Sequence, residues 1–144
     1  MKTSIFILFV SFLSLLSSCG GDGEVIVPPT ASSKKQLISK AWRLISEKIE
    51  GVEQFVNVPV CSADDLIIIN ENGTFQDTNG ATKCNPNDPQ VLRSANWLFH
   101  ENETKFQFLT DDAPIFTILE LSATTLKTRA IIDNEQTELT FVAN

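Results

Sequence analysis

The feature that most constrains this chain is a succession of short runs in which apolar and polar residues alternate. Lys105-Phe106-Gln107-Phe108-Leu109 shows it cleanly. Successive side chains of a β-strand point to opposite faces, so such a run gives one face to a core and the other to water. Runs that read as strands cover residues 42–49, 66–70, 74–77, 91–100, 105–109, 115–121, 125–133 and 136–142. In the first of them Trp42, Leu44 and Ser46 fall on one face. Short polar links separate the runs. Asn72-Gly73 is the strongest, because both residues tolerate the positive φ of a type I′ turn. About eight strands with hairpin-length links are the mark of an antiparallel barrel or sandwich. Sequential hairpins favour an up-and-down meander, and closure would remove the sheet edges that otherwise invite aggregation. A weaker extended stretch, Phe55-Val56-Asn57-Val58, runs into Pro59, which confines it to an edge or a loop. One short helix precedes the strands. Ser33 and Gln36 fit a capping box, and Leu37, Ile38 and Ala41 fall on one face. A single helix before a run of strands excludes a parallel α/β sheet.

The N-terminus is a targeting segment over residues 1–18. Lys2 gives a positive start, and residues 5–16 form an apolar run of 12. A helix needs about 20 apolar residues to span a bilayer, so this run matches the core of a signal peptide instead. It ends in Leu16-Ser17-Ser18-Cys19. That ending resembles the lipobox of bacterial lipoproteins. The resemblance implies cleavage before Cys19 and acylation of Cys19, which would hold the protein on a membrane through several acyl chains. The following Gly20-Gly21-Asp22 resembles surface lipoproteins of Bacteroidota, which implies the outer membrane with its side left open. Residues 19–32 then read as an acylated cysteine and a tether with Pro28-Pro29 in it. At about 3.3 Å per residue, its thirteen residues past Cys19 reach about 40 Å when extended. Residues 33–144 form one domain.

Formal net charge is −7, and Lys2 is the only charge ahead of Cys19. An acidic domain has no electrostatic footprint for nucleic acid and no basic patch for anionic lipid. With Cys19 acylated, Cys61 and Cys84 remain. Export places them where disulfides persist, and pairing them would close a loop of roughly two dozen residues. The alternatives are two free thiols or a metal pair, but neither a His nor a further Cys lies near to complete a structural zinc site. No cofactor or metal is expected.

Little in the chain points to catalysis. His100 is the only histidine, it stands at a strand end, and no nucleophile motif such as G-x-S-x-G accompanies it. Asp64-Asp65, Asp111-Asp112 and the Asx-rich stretch around Cys84 do not follow the spacing of an EF-hand. They read as turn chemistry. The large aromatics, Trp97, Phe106 and Phe108 among them, are either core or the lining of a ligand cavity. A barrel this small fills readily with its own side chains, which favours core.

The residues from Leu37 to Trp42, then Cys61-x-x-Asp64-Asp65, Asn72-Gly73-Thr74-Phe75, Gly80-Ala81-Thr82-Lys83-Cys84 and Trp97, resemble lipocalin-like domains of Bacteroidota lipoproteins. The resemblance covers roughly residues 37–142. Lys40 stands where true lipocalins carry Gly two residues before the first-strand Trp. It implies a small all-β up-and-down barrel and a Cys61–Cys84 bridge. The family offers no ligand by itself; the first expectation for such a barrel is a monomeric, non-enzymatic binding module for a small hydrophobic molecule or a glycan, with Trp97, Phe106 and Phe108 as candidate ligand contacts. The alternative is a solid barrel that engages an envelope protein, as an accessory subunit of an outer-membrane complex or as a protease inhibitor.

Overall fold

Alternation becomes strand pairing in a computed structural model that describes residues 33–56 and 58–144. The expected signal peptide, acylated Cys19 and tether lie outside the described residues, as does Asn57.

Helix α1 (Lys34–Ile38) opens the domain, with both hydrogen bonds of the Ser33/Gln36 capping box in place. Strand β1 (Ala41–Ile49) follows, then β2 (Val52–Glu53), the four-residue helix α2 (Val60–Ala63), β3 (Leu66–Ile69) and β4 (Thr74–Thr78). The long β5 (Val91–His100) leads to β6 (Lys105–Phe108), β7 (Ile115–Leu121), β8 (Thr125–Ile132) and β9 (Glu135–Ala143). Every neighbouring pair is antiparallel in sequence order, and β1 pairs with β9 to close the sheet. Eight strands therefore form a closed up-and-down barrel, as the hairpin-length links imply. The ninth, β2, is a two-residue appendage on the end of β1.

Three local readings change. The helix stops at Ile38 and Ala41 is already strand, because Ala41 pairs with Ile68. The extended stretch at 55–58 is irregular, and the pairing falls instead on Val52 and Glu53 after a turn through Glu50 and Gly51, both left-handed. The Asn72-Gly73 turn is not type I′. Only Gly73 is left-handed, with φ of 87°. The Gly73 N–H donates to the Asn70 carbonyl and the Asn70 N–H to that of Thr74. This is a three-residue loop with a glycine bulge. The type I′ geometry occurs at Asp133-Asn134, where both residues have positive φ between Ile132 and its partner Glu135.

The inward faces carry the core: Trp42, Ile69, Phe75, Trp97, Phe106, Phe108, Phe116, Leu126, Ala130 and Phe141 are all buried. The phenylalanines pack on one another across strands. Phe75 and Phe108 have ring centroids 4.1 Å apart, and Phe106 and Phe116 stack at 5.2 Å. One end of the barrel is closed. There α1 inserts the fully buried Ile38, and Trp42 Nε1 donates to the Ile38 carbonyl at 2.7 Å. Lys40 lies over the Trp42 ring and donates to the Ala123 carbonyl, adding to that seal. The other end, where β1, β4, β6 and β8 finish, carries the long loops and stays open.

Candidate functional site

The open end exists because β1 has two unequal neighbours. It pairs with β9 from Trp42 to Ile49, but with β3 only over Ala41, Trp42 and Arg43. Beyond Arg43 the two strands part. A β-bulge between Leu44 and Ser46 then shifts the inward face by one residue. Glu47, opposite Leu139, consequently faces into the barrel. A strict period of two places Ser46 inward and Glu47 outward, so that expectation is corrected by the bulge.

The free edge of β1 is satisfied by Glu53. Its carboxylate accepts from the Ser46 hydroxyl and from the backbone N–H groups of Glu47 and Phe55. These bonds, the Ser46 hydroxyl foremost, hold the Glu53 carboxyl below its ordinary value. The Gln54 N–H returns to the Glu47 carbonyl at 2.7 Å. Together they fold the chain back so that Phe55 stands beside the gap, and the segment around α2 completes the rim.

The result is a cleft of about 280 Å³. Trp42, Ile67, Leu139 and Phe141 form its floor, with Leu44, Phe55 and Leu66 on its walls. Glu47, Ser62, Asp65 and Asp77 add polar groups to the same cleft. Those four floor residues also bound a small inner chamber of about 40 Å³, which Phe106, Phe108, Phe116, Leu126 and Thr128 enclose further. A chamber of that size holds a water or two. Ligand pockets typically measure about 300–1,000 Å³, so the barrel interior is core and the mouth, just short of that range, is a candidate site. One feature of the chamber is unusual. Thr128 is fully buried, and its Oγ1 has no hydrogen-bond partner among the described residues.

Asp77 on β4, which lines the mouth, pairs with Arg93 on β5 beside it, 3.1 Å apart. Burial pushes the Asp77 carboxyl up, the Arg93 guanidinium opposes that, and the neighbouring Asp65 adds to the rise. On the far side of this pair, Arg93, Phe108, Phe116 and the 110–114 loop bound a second depression of about 190 Å³.

Several residues singled out from sequence have structural roles here. Cys61 and Cys84 form a disulfide, with Cα atoms 5.0 Å apart. Beside it, Asp64 Oδ2 accepts from the N–H groups of Ala81 and Thr82, and Asp65 Oδ1 from that of Gly80. Gly80 leaves no room for a side chain, since a Cβ there would lie 2.1 Å from the Asp64 carbonyl oxygen. The Cys-x-x-Asp-Asp and Gly-Ala-Thr-Lys-Cys blocks are thus two halves of one clamp that fixes the loop after β4. His100 shares a hydrogen bond with Gln107 across β5 and β6. Of the candidate ligand contacts, Phe106 and Phe108 line the inner chamber. Trp97 sits with neither the chamber nor the mouth. It packs edge-on against Phe99 and donates Nε1 to the Asn70 carbonyl, toward the closed end. Sequence reasoning missed Glu47, Phe55 and Thr128, and read Asp77, with the Asx-rich stretch that follows it, as turn chemistry. Its signal was a charge on the inward period of β4 together with Phe75. Among the described residues no three His, Cys, Asp or Glu side chains converge as a metal site.

Comparison of the chain with protein-family models, with curated proteins and with solved structures finds no match.

Proposed function

We propose that this protein is a cell-envelope lipoprotein whose lipocalin-like barrel binds a small molecule in its open mouth. The cleft of about 280 Å³ over a floor of Trp42, Ile67, Leu139 and Phe141 carries the reading. Apolar walls with a few convergent polar groups are what small-molecule sites present. The guest would sit in the mouth, above a barrel already filled by its own aromatics. Export and anchoring are supported by Lys2, the apolar run at 5–16 and the Leu16-Ser17-Ser18-Cys19 ending.

Native mass spectrometry of the full chain after exposure to an envelope extract tests this. The expected result is a retained guest of a few hundred daltons, the size such pockets take. Ser62→Trp, which fills one wall of the mouth, should lose it. A bare protein mass in the wild type would overturn the reading. Cys19→Ala should move the protein from the membrane fraction to the soluble one, and an unchanged membrane fraction would refute the lipid anchor.

A second reading has its own observation. Val52, Val56, Val60, Val91, Leu92 and Leu109 are exposed, and all lie on segments at the open end. Such a rim suits an envelope protein that docks over the mouth.

A further inference from the structure

We propose that the mouth selects an organic cation: an amine or quaternary ammonium group carried on an apolar body. This rests on the reading that the mouth binds a small molecule, and it names the class.

Three carboxylates, those of Glu47, Asp65 and Asp77, meet the same apolar cleft. Their commitments differ. Asp77 is paired with Arg93, and Asp65 accepts from the Gly80 N–H. The side chain of Glu47 has no hydrogen-bond or ion-pair partner among the described residues, although the β1 bulge turns it inward against Leu139. Arg93, which also lines the neighbouring depression, balances Asp77, so Glu47 and Asp65 leave the cleft with an excess of negative charge. Low-dielectric walls focus such a field and raise the local concentration of a guest of opposite sign.

The three classes of guest fare differently. An anionic lipid or acidic glycan meets like charge at the rim. A neutral hydrophobic guest covers Glu47 and leaves a carboxylate desolvated without a counter-charge, which is costly. An ammonium group supplies that counter-charge, while its apolar body covers Trp42, Phe55 and Phe141. Aromatic faces attract cations as well, which adds to the preference.

A second observation, independent of the carboxylates, also points to a guest. Thr128 Oγ1 is fully buried without a partner, in the chamber directly behind the floor of the mouth. Buried polar groups are satisfied in the great majority of cases, and an exception calls for a partner that the protein itself does not provide. Trp42, Ile67, Leu139 and Phe141 line both spaces, so the unmet hydroxyl lies one layer of side chains behind the mouth.

The test is isothermal titration of the full chain, held in phosphatidylcholine nanodiscs, with 2-phenylethylamine, 2-phenylethanol and 3-phenylpropanoate. The three share an aromatic body and differ in charge. The amine is expected to bind at least about tenfold tighter than the alcohol, the size of effect that a charge-assisted hydrogen bond gives, with the carboxylate weakest. Glu47→Gln keeps the shape of the wall and should cost the amine about fivefold or more while leaving the alcohol unchanged. If the alcohol binds as tightly as the amine, and Phe55→Ala abolishes both, the cation preference is wrong and the small-molecule site stands. If none of the three binds at millimolar concentration, both readings fall.

Discussion

Replacing Thr128 with Val should stabilise the protein. Thr128 is 0% exposed, and its hydroxyl finds no partner among the described residues. Leaving a buried donor or acceptor unsatisfied costs about 1–3 kcal/mol, because water is lost and nothing replaces it. Valine has nearly the same shape, so the surrounding Phe106, Phe116 and Leu126 need not move. The chamber of about 40 Å³ is left as it was, and no new cavity term arises. A net gain of about 1–2 kcal/mol follows. Unfolding entropy is about 2.1 cal/mol/K per residue, which for about 110 residues gives roughly 0.23 kcal/mol per degree. The melting temperature should therefore rise by about 4–8 °C in calorimetry of the unliganded protein. Thr128→Ser is the control. It keeps the hydroxyl and removes a methyl, so it should lower the melting temperature. If both variants melt lower than wild type, the hydroxyl has a partner such as a water held in the chamber, and the argument fails.

Three more predictions follow from the loops and the mouth. The Cys61–Cys84 bridge spans 23 residues of sequence, and the chain-entropy relation gives about 3 kcal/mol for a loop of that size. Reduction, or double substitution by Ser, should lower the melting temperature by about 13–15 °C on the same scale, and native-state thiol labelling of either cysteine would refute the bridge. Gly80→Ala places a Cβ against the Asp64 carbonyl and should cost about 1–3 kcal/mol in urea unfolding, the usual range for overpacking; a neutral result would mean that the clamp yields freely. Asp77 has a folded-state pKa raised from its ordinary value of 3.8, chiefly by burial. Between those two values the native state holds more protons than the unfolded chain, so stability falls as pH rises through that window. Asp77→Asn should remove that loss, giving a more stable protein at neutral pH and an advantage that shrinks as pH drops toward 3.8. Because Arg93 is more than half exposed, breaking its pair with Asp77 offsets only part of the gain. A variant less stable than wild type at neutral pH, in unfolding curves across that range, would reverse the sign of the argument.

Much of the barrel is legible in the sequence because strand period and turn chemistry are local properties. Phe106 and Phe108 alternate with Lys105 and Gln107, and they face inward as that alternation requires. The capping box at Ser33 and Gln36 forms as written. The cysteine pair is legible for a related reason. Two cysteines remain once Cys19 is set aside, and Asp64, Asp65 and Gly80 accompany them at fixed offsets.

The mouth was not legible, and the cause is specific. A strict period of two puts Glu47 in water, and one bulged residue in β1 reverses every side chain beyond it. Nothing within residues 41–49 announces that bulge. It is stabilised by Glu53, which reaches β1 only after the chain has turned back through Gly51. The place of Trp97, in a separate depression beside Lys35 of α1 and not in the mouth, was illegible in a similar way. Its inward direction is set by the strand, but its depth along the barrel depends on the register between β4 and β5.

The sequence alone thus settled the class of fold, the order of strands and the chemistry of the disulfide-tied loop, since each depends on neighbours within a few residues or on residue types that have few other uses. Tertiary structure decided how far each strand pairs with its neighbours. β1 leaves β3 after three residues and stays with β9 for the rest of its length, and that inequality opens the cleft, admits Phe55 to its wall and brings Glu47, Asp65 and Asp77 to one apolar floor. Those residues come from separate strands and loops, and only closure of the barrel sets the distances between them.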